Sequence, residues 1–201
     1  MSADDRAALA GAFPATHAYY AGLVRDPLTE VERYPAPFFE RAAVFRIVHR
    51  HPFHPAILYA AAGPDGTAVL LTDDPAAFAA LARAAGAVIA SPADALAYAL
   101  AYLELTGPRA ELRYVIRTAG EARFVPRPRP AEQARIDQFL ATYAPLVHPP
   151  RVSDAEDGFL VTLYAVRQRE LQRHVLRVSP GGALAHQVDV CERGLPLVAA
   201  V

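Results

Sequence analysis

The spacing of apolar positions changes several times along this chain, and each change marks an element. Leu9, Phe13, His17, Tyr20 and Val24 recur at helical spacing, which predicts a helical segment over 3–25, interrupted at Pro14 and ended by Asp26-Pro27. Three prolines in 27–39 predict an irregular stretch. Strands follow at 43–50, 57–62 and 67–72, the last two joined by Gly63-Pro64-Asp65-Gly66, a tight-turn signal. Asp73 or Asp74, with Pro75 behind it, predicts the start of a helix that Gly86 stops. Ser91 with Asp94 predicts the cap of a second helix, which carries Leu96, Leu100 and Leu103 and ends at Gly107-Pro108.

Past residue 108 the period shortens. Leu112, Tyr114 and Ile116 alternate with Arg113, Val115 and Arg117, a half-exposed strand over 112–118. The 121–125 segment is its expected partner. A helix is predicted over 131–143 and a long loop over 145–157. Three strands then form an antiparallel meander at 158–166, 171–178 and 183–191. In the last two, the even positions are apolar: Leu176 and Val178, then Leu184, Val188 and Val190. Sharing one face requires a loop of odd length. Ser179-Pro180-Gly181 fits a three-residue loop, with Gly181 in the left-handed position.

These elements predict an α+β fold, with an antiparallel sheet of two three-strand meanders covered by helices. Both halves run from helix to three strands, although no residue-level repeat is present. The chain reads as one domain over 1–201, with two possible sub-lobes, 1–125 and 131–201, on either side of the stiff Pro126-Arg127-Pro128-Arg129-Pro130 linker. A curved antiparallel sheet with helices on one side resembles cystatin-like or NTF2-like architectures, an analogy of fold that implies no function.

Composition narrows the chemistry. The 201 residues include no lysine, asparagine or tryptophan, four serines and one cysteine, Cys191. Schiff-base catalysis and a P-loop lysine are therefore excluded, as are an internal disulfide and any cysteine-rich metal site. There is no nucleophile elbow, dinucleotide fingerprint or His-Glu-x-x-His motif. The net charge is −1, which gives no general attraction to nucleic acid or membrane. It is unevenly spread: 1–106 hold seven arginines against eleven acids, and 107–178 hold twelve against eight. Halves of opposite sign favour contact with a protein partner or a second copy. No secretory signal or apolar run of membrane-spanning length is visible, so a cytoplasmic protein without a cofactor is expected.

Three groups of residues carry candidate chemistry. In the meander register a three-residue loop sets His174 directly opposite His186, on the face with Leu176 and Leu184. A histidine pair there could serve in acid–base work or as ligands in a small-molecule pocket. His49 and His51 share one side of a strand, and His54 returns across a His/Pro-rich turn, a candidate metal site. Arg113 and Arg117, with Tyr164, are candidate ligand-binding residues for phosphate or carboxylate. With no catalytic signature, and with apolar residues on both faces of the 159–166 strand, the leading expectation is a non-catalytic interaction or self-association domain. The alternatives are a pocket protein or enzyme using His174 and His186, and a metal-binding protein using His49, His51 and His54.

Overall fold

The structure is a computed structural model that describes residues 3–109, 111 and 113–198. Among these residues are five α-helices and two antiparallel sheets, of four and five strands, so the protein is α+β. The chain forms two compact units. One holds the described residues up to Ala90 with Ala97–Arg109 and Pro180–Ala183. The other holds Ser91–Leu96, the described residues from Glu111 to Ser179, and those from Leu184 to Val198. The proline-arginine run 126–130 lies inside the second unit, where the Val125 N–H donates to the Pro196 carbonyl.

In the first unit, α1 (Ala3–Ala12) and α2 (Ala18–Arg25) are separated at Pro14 by a short 3-10 turn, Ala15–His17. The sheet runs β1 (Thr29–Tyr34), β2 (Ala43–His49), β3 (Ala56–Ala62) and β4 (Ala68–Leu70) in spatial order. Strand β1 replaces the irregular stretch expected at 27–39. Pro27 and Pro35 flank this strand rather than interrupt it, and Thr29 and Val31 are buried while Glu30 and Glu32 are exposed. Leu9, Phe13 and Val24 of the helical segment pack with Val31, Ile47, Leu58 and Ala60 of the sheet. Each such large apolar side chain contributes about 1.5–3 kcal/mol when fully buried.

The α3 helix (Pro75–Ala85) is capped as expected. Asp74 Oδ1 accepts from the Ala77 N–H at 2.8 Å, and Gly86 ends the helix at φ 68°. The first turn of α4 (Pro92–Leu105) is held by Ser91 Oγ, which accepts from the Asp94 N–H at 3.2 Å. Phe38, Phe39, Phe78 and Tyr98 form an aromatic cluster in the first unit, with ring centroids 4.8–6.1 Å apart and mostly edge-on or tilted. That geometry suits the ring quadrupoles.

In the second unit, β5 (Arg113–Ile116) and β6 (Arg151–Ala155) pair with successive halves of one edge of β7 (Gly158–Arg167). On its other edge β7 pairs with β8 (Glu170–Val178), and β8 with β9 (Leu184–Glu192). Leu112, the first residue of the expected strand, lies outside the described residues. The 121–125 segment is not the partner of β5. It leaves a 3-10 turn at Ala119–Glu121, and Phe124 bridges to Leu197. Strand β6 was expected to be loop. Phe139 of the α5 helix (Pro130–Tyr143) belongs to one buried apolar cluster with Ile116, Tyr164, Val166, Leu171, Leu195 and Leu197. The other face of the sheet buries Val161, Leu163, Ala165, Leu176 and Val178.

Candidate functional site

The loop between β8 and β9 has five residues, 179–183, not three. Its odd length keeps the apolar positions on a shared face, but the register moves by one pair. His174 lies opposite Val188, and His186 opposite Leu176. Gly182, not Gly181, takes the left-handed conformation, at φ 77°. The two histidines are therefore diagonal neighbours, and long side chains can meet across a diagonal. They do meet: His174 Nδ1 and His186 Nε2 are 2.8 Å apart, and the rings stack at 5.1 Å with 18° between their planes. One of the two nitrogens must carry the proton.

His174 is 1% exposed, and its Nε2 is buried without a hydrogen-bond partner among the described residues. Burial, followed by the neighbouring His186 and the charges of Arg113 and Arg167, pushes its pKa down to about 3. Burial and Arg113 also lower His186. Both effects disfavour the imidazolium. A group with a pKa near 3 remains neutral at pH 7 and is poorly matched to proton transfer there.

The other candidates do not converge. Among the described residues no group of three or more His, Cys, Asp or Glu side chains is placed to hold a metal ion. His49, His51 and His54 instead stack in sequence, at 5.7 and 5.5 Å with 16° between planes in each pair. Nδ1 of His49 is hydrogen-bonded to Thr29 Oγ1 at 2.8 Å, and Nδ1 of His51 accepts from the Phe53 N–H. Arg113 lies opposite Arg167, and Tyr164 opposite Ile116, so alternation places Arg113 and Tyr164 on opposite faces of the sheet. Arg117, just past β5, is paired with Glu121 at 3.1 Å. Cys191 is half-buried, and burial raises its thiol pKa, the reverse of an activated nucleophile.

The sequence reading missed one constellation. Glu104, on α4, accepts from the hydroxyls of Tyr34 at 2.9 Å and Tyr59 at 2.6 Å. Burial, then Glu104, raises both phenols, Tyr59 to about 12. The tie joins β1 and β3 to a helix residue 70 and 45 positions further along the chain, and no local spacing announces it. Hydrogen bonds to a charged acceptor are worth about 1.5–3 kcal/mol where buried and less where exposed. Glu104→Ala is therefore expected to lower unfolding free energy by about 2 kcal/mol in urea melts at pH 7. Most of that loss should disappear when the substitution is made in a Tyr59→Phe, Tyr34→Phe background. Equal losses in both backgrounds would show that the phenols do not depend on Glu104.

Two surface hollows are found among the described residues, the first of them reaching Tyr34. An open groove of about 540 Å³ is lined by residues of 33–44, including Arg33, Tyr34, Pro35, Pro37 and Phe39. A smaller, polar hollow of about 230 Å³ lies between Arg135, Thr142 and Glu192. Neither is lined by a histidine.

The sheet edges differ from one another. Strand β1 carries Glu30, Glu32 and Arg33, with Glu30 bound to Arg50 and Glu32 to Arg46. Strands β4, β5 and β6 have three, four and five residues. Strand β9 has nine residues, pairs on one side only among the described residues, and has no buried residue. Val188 and Val190 are 43% and 38% exposed. Charge, shortness and bulges are the usual protections of a sheet edge. On β9 the charges Asp189 and Glu192 and the bulge at Cys191 lie at its C-terminal end, and the stretch 184–188 holds no acidic residue and no arginine.

No protein-family model matches this chain, and no curated protein or solved structure matches it either. The likeness to cystatin-like and NTF2-like architectures therefore has no structural neighbour to support it. Among the described residues no helix is long and apolar enough to cross a membrane.

Proposed function

We propose that this chain is a non-catalytic interaction domain that takes a protein partner, or a second copy of itself, as an added strand along β9. The observation that carries this reading is the long edge of β9, with Val188 and Val190 exposed on one of its faces. Extended segments add to such edges through main-chain hydrogen bonds, and alternate side chains supply the selectivity. On this reading the protein works in the cytoplasm without a cofactor, and neither nucleic acid nor membrane is its partner.

The alternative reading is a small-molecule pocket protein or enzyme using His174 and His186. The unpartnered Nε2 of His174 favours it. The low pKa of that imidazole weighs against acid–base work at neutral pH.

The test compares wild type with a Val188→Lys, Val190→Lys double variant, which places charges on the edge strand. Wild type is expected to self-associate in a sedimentation concentration series, or to retain a host protein that the double variant loses. A strict monomer whose captured proteins are the same for both forms would overturn the proposal.

A further inference from the structure

We infer that the occupant of the β9 edge is the β9 strand of a second copy, paired antiparallel about a two-fold axis at Gln187. This rests on the strand-addition reading above and goes further by specifying the partner and the register. A two-fold axis perpendicular to the sheet keeps each face on its own side. Directly opposed residues then share parity, and the axis passes through a residue rather than between two.

The bulge at the end of β9 selects among the allowed registers. Gln172 pairs with Val190 and Leu171 with Glu192, which leaves Cys191 as the extra residue. Bulges twist an edge away and disrupt regular pairing. The regular part of β9 is therefore Leu184–Val190, whose midpoint is Gln187. An axis at Gln187 pairs this whole stretch with itself. Leu184 meets the second copy's Val190, His186 meets its Val188, and Ala185 meets its Asp189. Moving the axis to Val188 would run Ala185 and Leu184 into the bulged end. Moving it to Asp189 would set two carboxylates against each other, which is destabilising.

The chosen register unites the exposed apolar positions and opposes no like charges. Val188 and Val190 sit on the same face as Leu184 and His186, so symmetric pairing makes a continuous apolar stripe across the junction. The two five-stranded sheets become one sheet of ten strands. The β9 edge is then no longer free to recruit further chains. Symmetric pairing of one patch with itself closes the assembly at two copies.

The experiment uses the full-length chain with Cys191→Ala and one new cysteine. At the axis, Gln187→Cys brings two thiols onto directly opposed positions, with Cβ atoms about 4.5–5.5 Å apart, which is close to disulfide range. Ala185→Cys sets its two thiols about 13 Å apart along the strands. Under copper-phenanthroline and air, the Gln187→Cys protein is expected to form a covalent dimer at least about tenfold faster than the Ala185→Cys protein. Wild type should sediment as a dimer at tens of micromolar, and the Val188→Lys, Val190→Lys variant should need about tenfold more protein to dimerise. A dimer that cross-links at 185 as fast as at 187 overturns the register. A wild-type monomer throughout overturns the second copy. If the double-lysine variant then still loses a host protein that wild type retains, strand addition at β9 survives with another partner. If it loses nothing, both proposals fall together.

Discussion

Gly182→Ala is expected to destabilise the protein by about 3–4 kcal/mol. Two costs combine. Gly182 has φ 77°, and an L side chain in the left-handed region costs about 1–2 kcal/mol. Its added Cβ would also lie 2.6 Å from the Cβ of Ala87 and 3.1 Å from the Tyr98 hydroxyl. Neither contact is with the end of a flexible chain, and overpacking of this kind costs about 1–3 kcal/mol. Displacing Tyr98 would further strain its 2.6 Å hydrogen bond to the Gly182 carbonyl. In a chain of this length the loss corresponds to a fall of roughly 10 °C in Tm. Gly181→Ala is the control. Its Cβ would meet nothing within 4 Å, and its φ is not positive, so its effect should stay within about 0.5 kcal/mol. Thermal and urea melts that place the two variants side by side would refute this account of the loop.

Acidification from pH 6.5 to 4.5 is expected to remove about 2.5 kcal/mol of stability through His174. In the unfolded chain this imidazole takes up its proton near the ordinary value of 6.5. In the folded chain it resists protonation down to about 3. Between those values the unfolded state binds more protons, so stability rises with pH and falls as pH is lowered. One full proton of difference corresponds to about 1.4 kcal/mol per pH unit. The difference is only about half a proton at pH 6.5, so two units remove somewhat less than twice that figure. His186 is lowered in the same direction, and the hydrogen-bonded pair titrates as a unit. From about pH 5.5 downward the carboxylates of Glu30, Glu111, Glu121, Glu170 and Asp189, held low chiefly by hydrogen bonds, begin to add losses of the same sign. The upper part of the 4.5–6.5 window therefore belongs to the histidines, and across its lower part the carboxylates contribute alike to wild type and to a histidine variant. Urea midpoints measured across it should fall steeply for wild type, and at most half as steeply for His174→Leu. Parallel slopes would show that the buried pair does not govern acid stability.

Much of the fold was legible because local rules and tertiary packing agree. Asp74, Pro75 and Gly86 bound α3 as their chemistry requires. The apolar even positions of β8 and β9 do share a face, because an odd loop of either three or five residues preserves parity. The length of that loop was not legible. Gly181 and Gly182 are both able to supply a positive φ, and the choice of Gly182 is made by packing against Ala87 and Tyr98. Strand β1 was hidden by the prolines beside it. Strand β6, Arg-Val-Ser-Asp-Ala, was hidden because polar residues interrupt both its faces, as an edge strand allows. The histidine pair was legible as a neighbourhood but not as a register. The Glu104 tie could not be read at all, since its tyrosines lie on strands far away in the chain.

The shared edge of β7 bears on how the second sheet assembles. Strands β6 to β9 follow one another through short turns, so their pairings need only local closure. Strand β5 comes from before α5 and reaches β7 only after the whole interval through α5 and β6 has been brought round. Closing a long interval costs more chain entropy than closing a turn, and distant contacts slow folding. The meander is thus the natural nucleus of this unit, and the docking of β5 beside β6 completes it by filling the half of the β7 edge that the hairpin leaves bare.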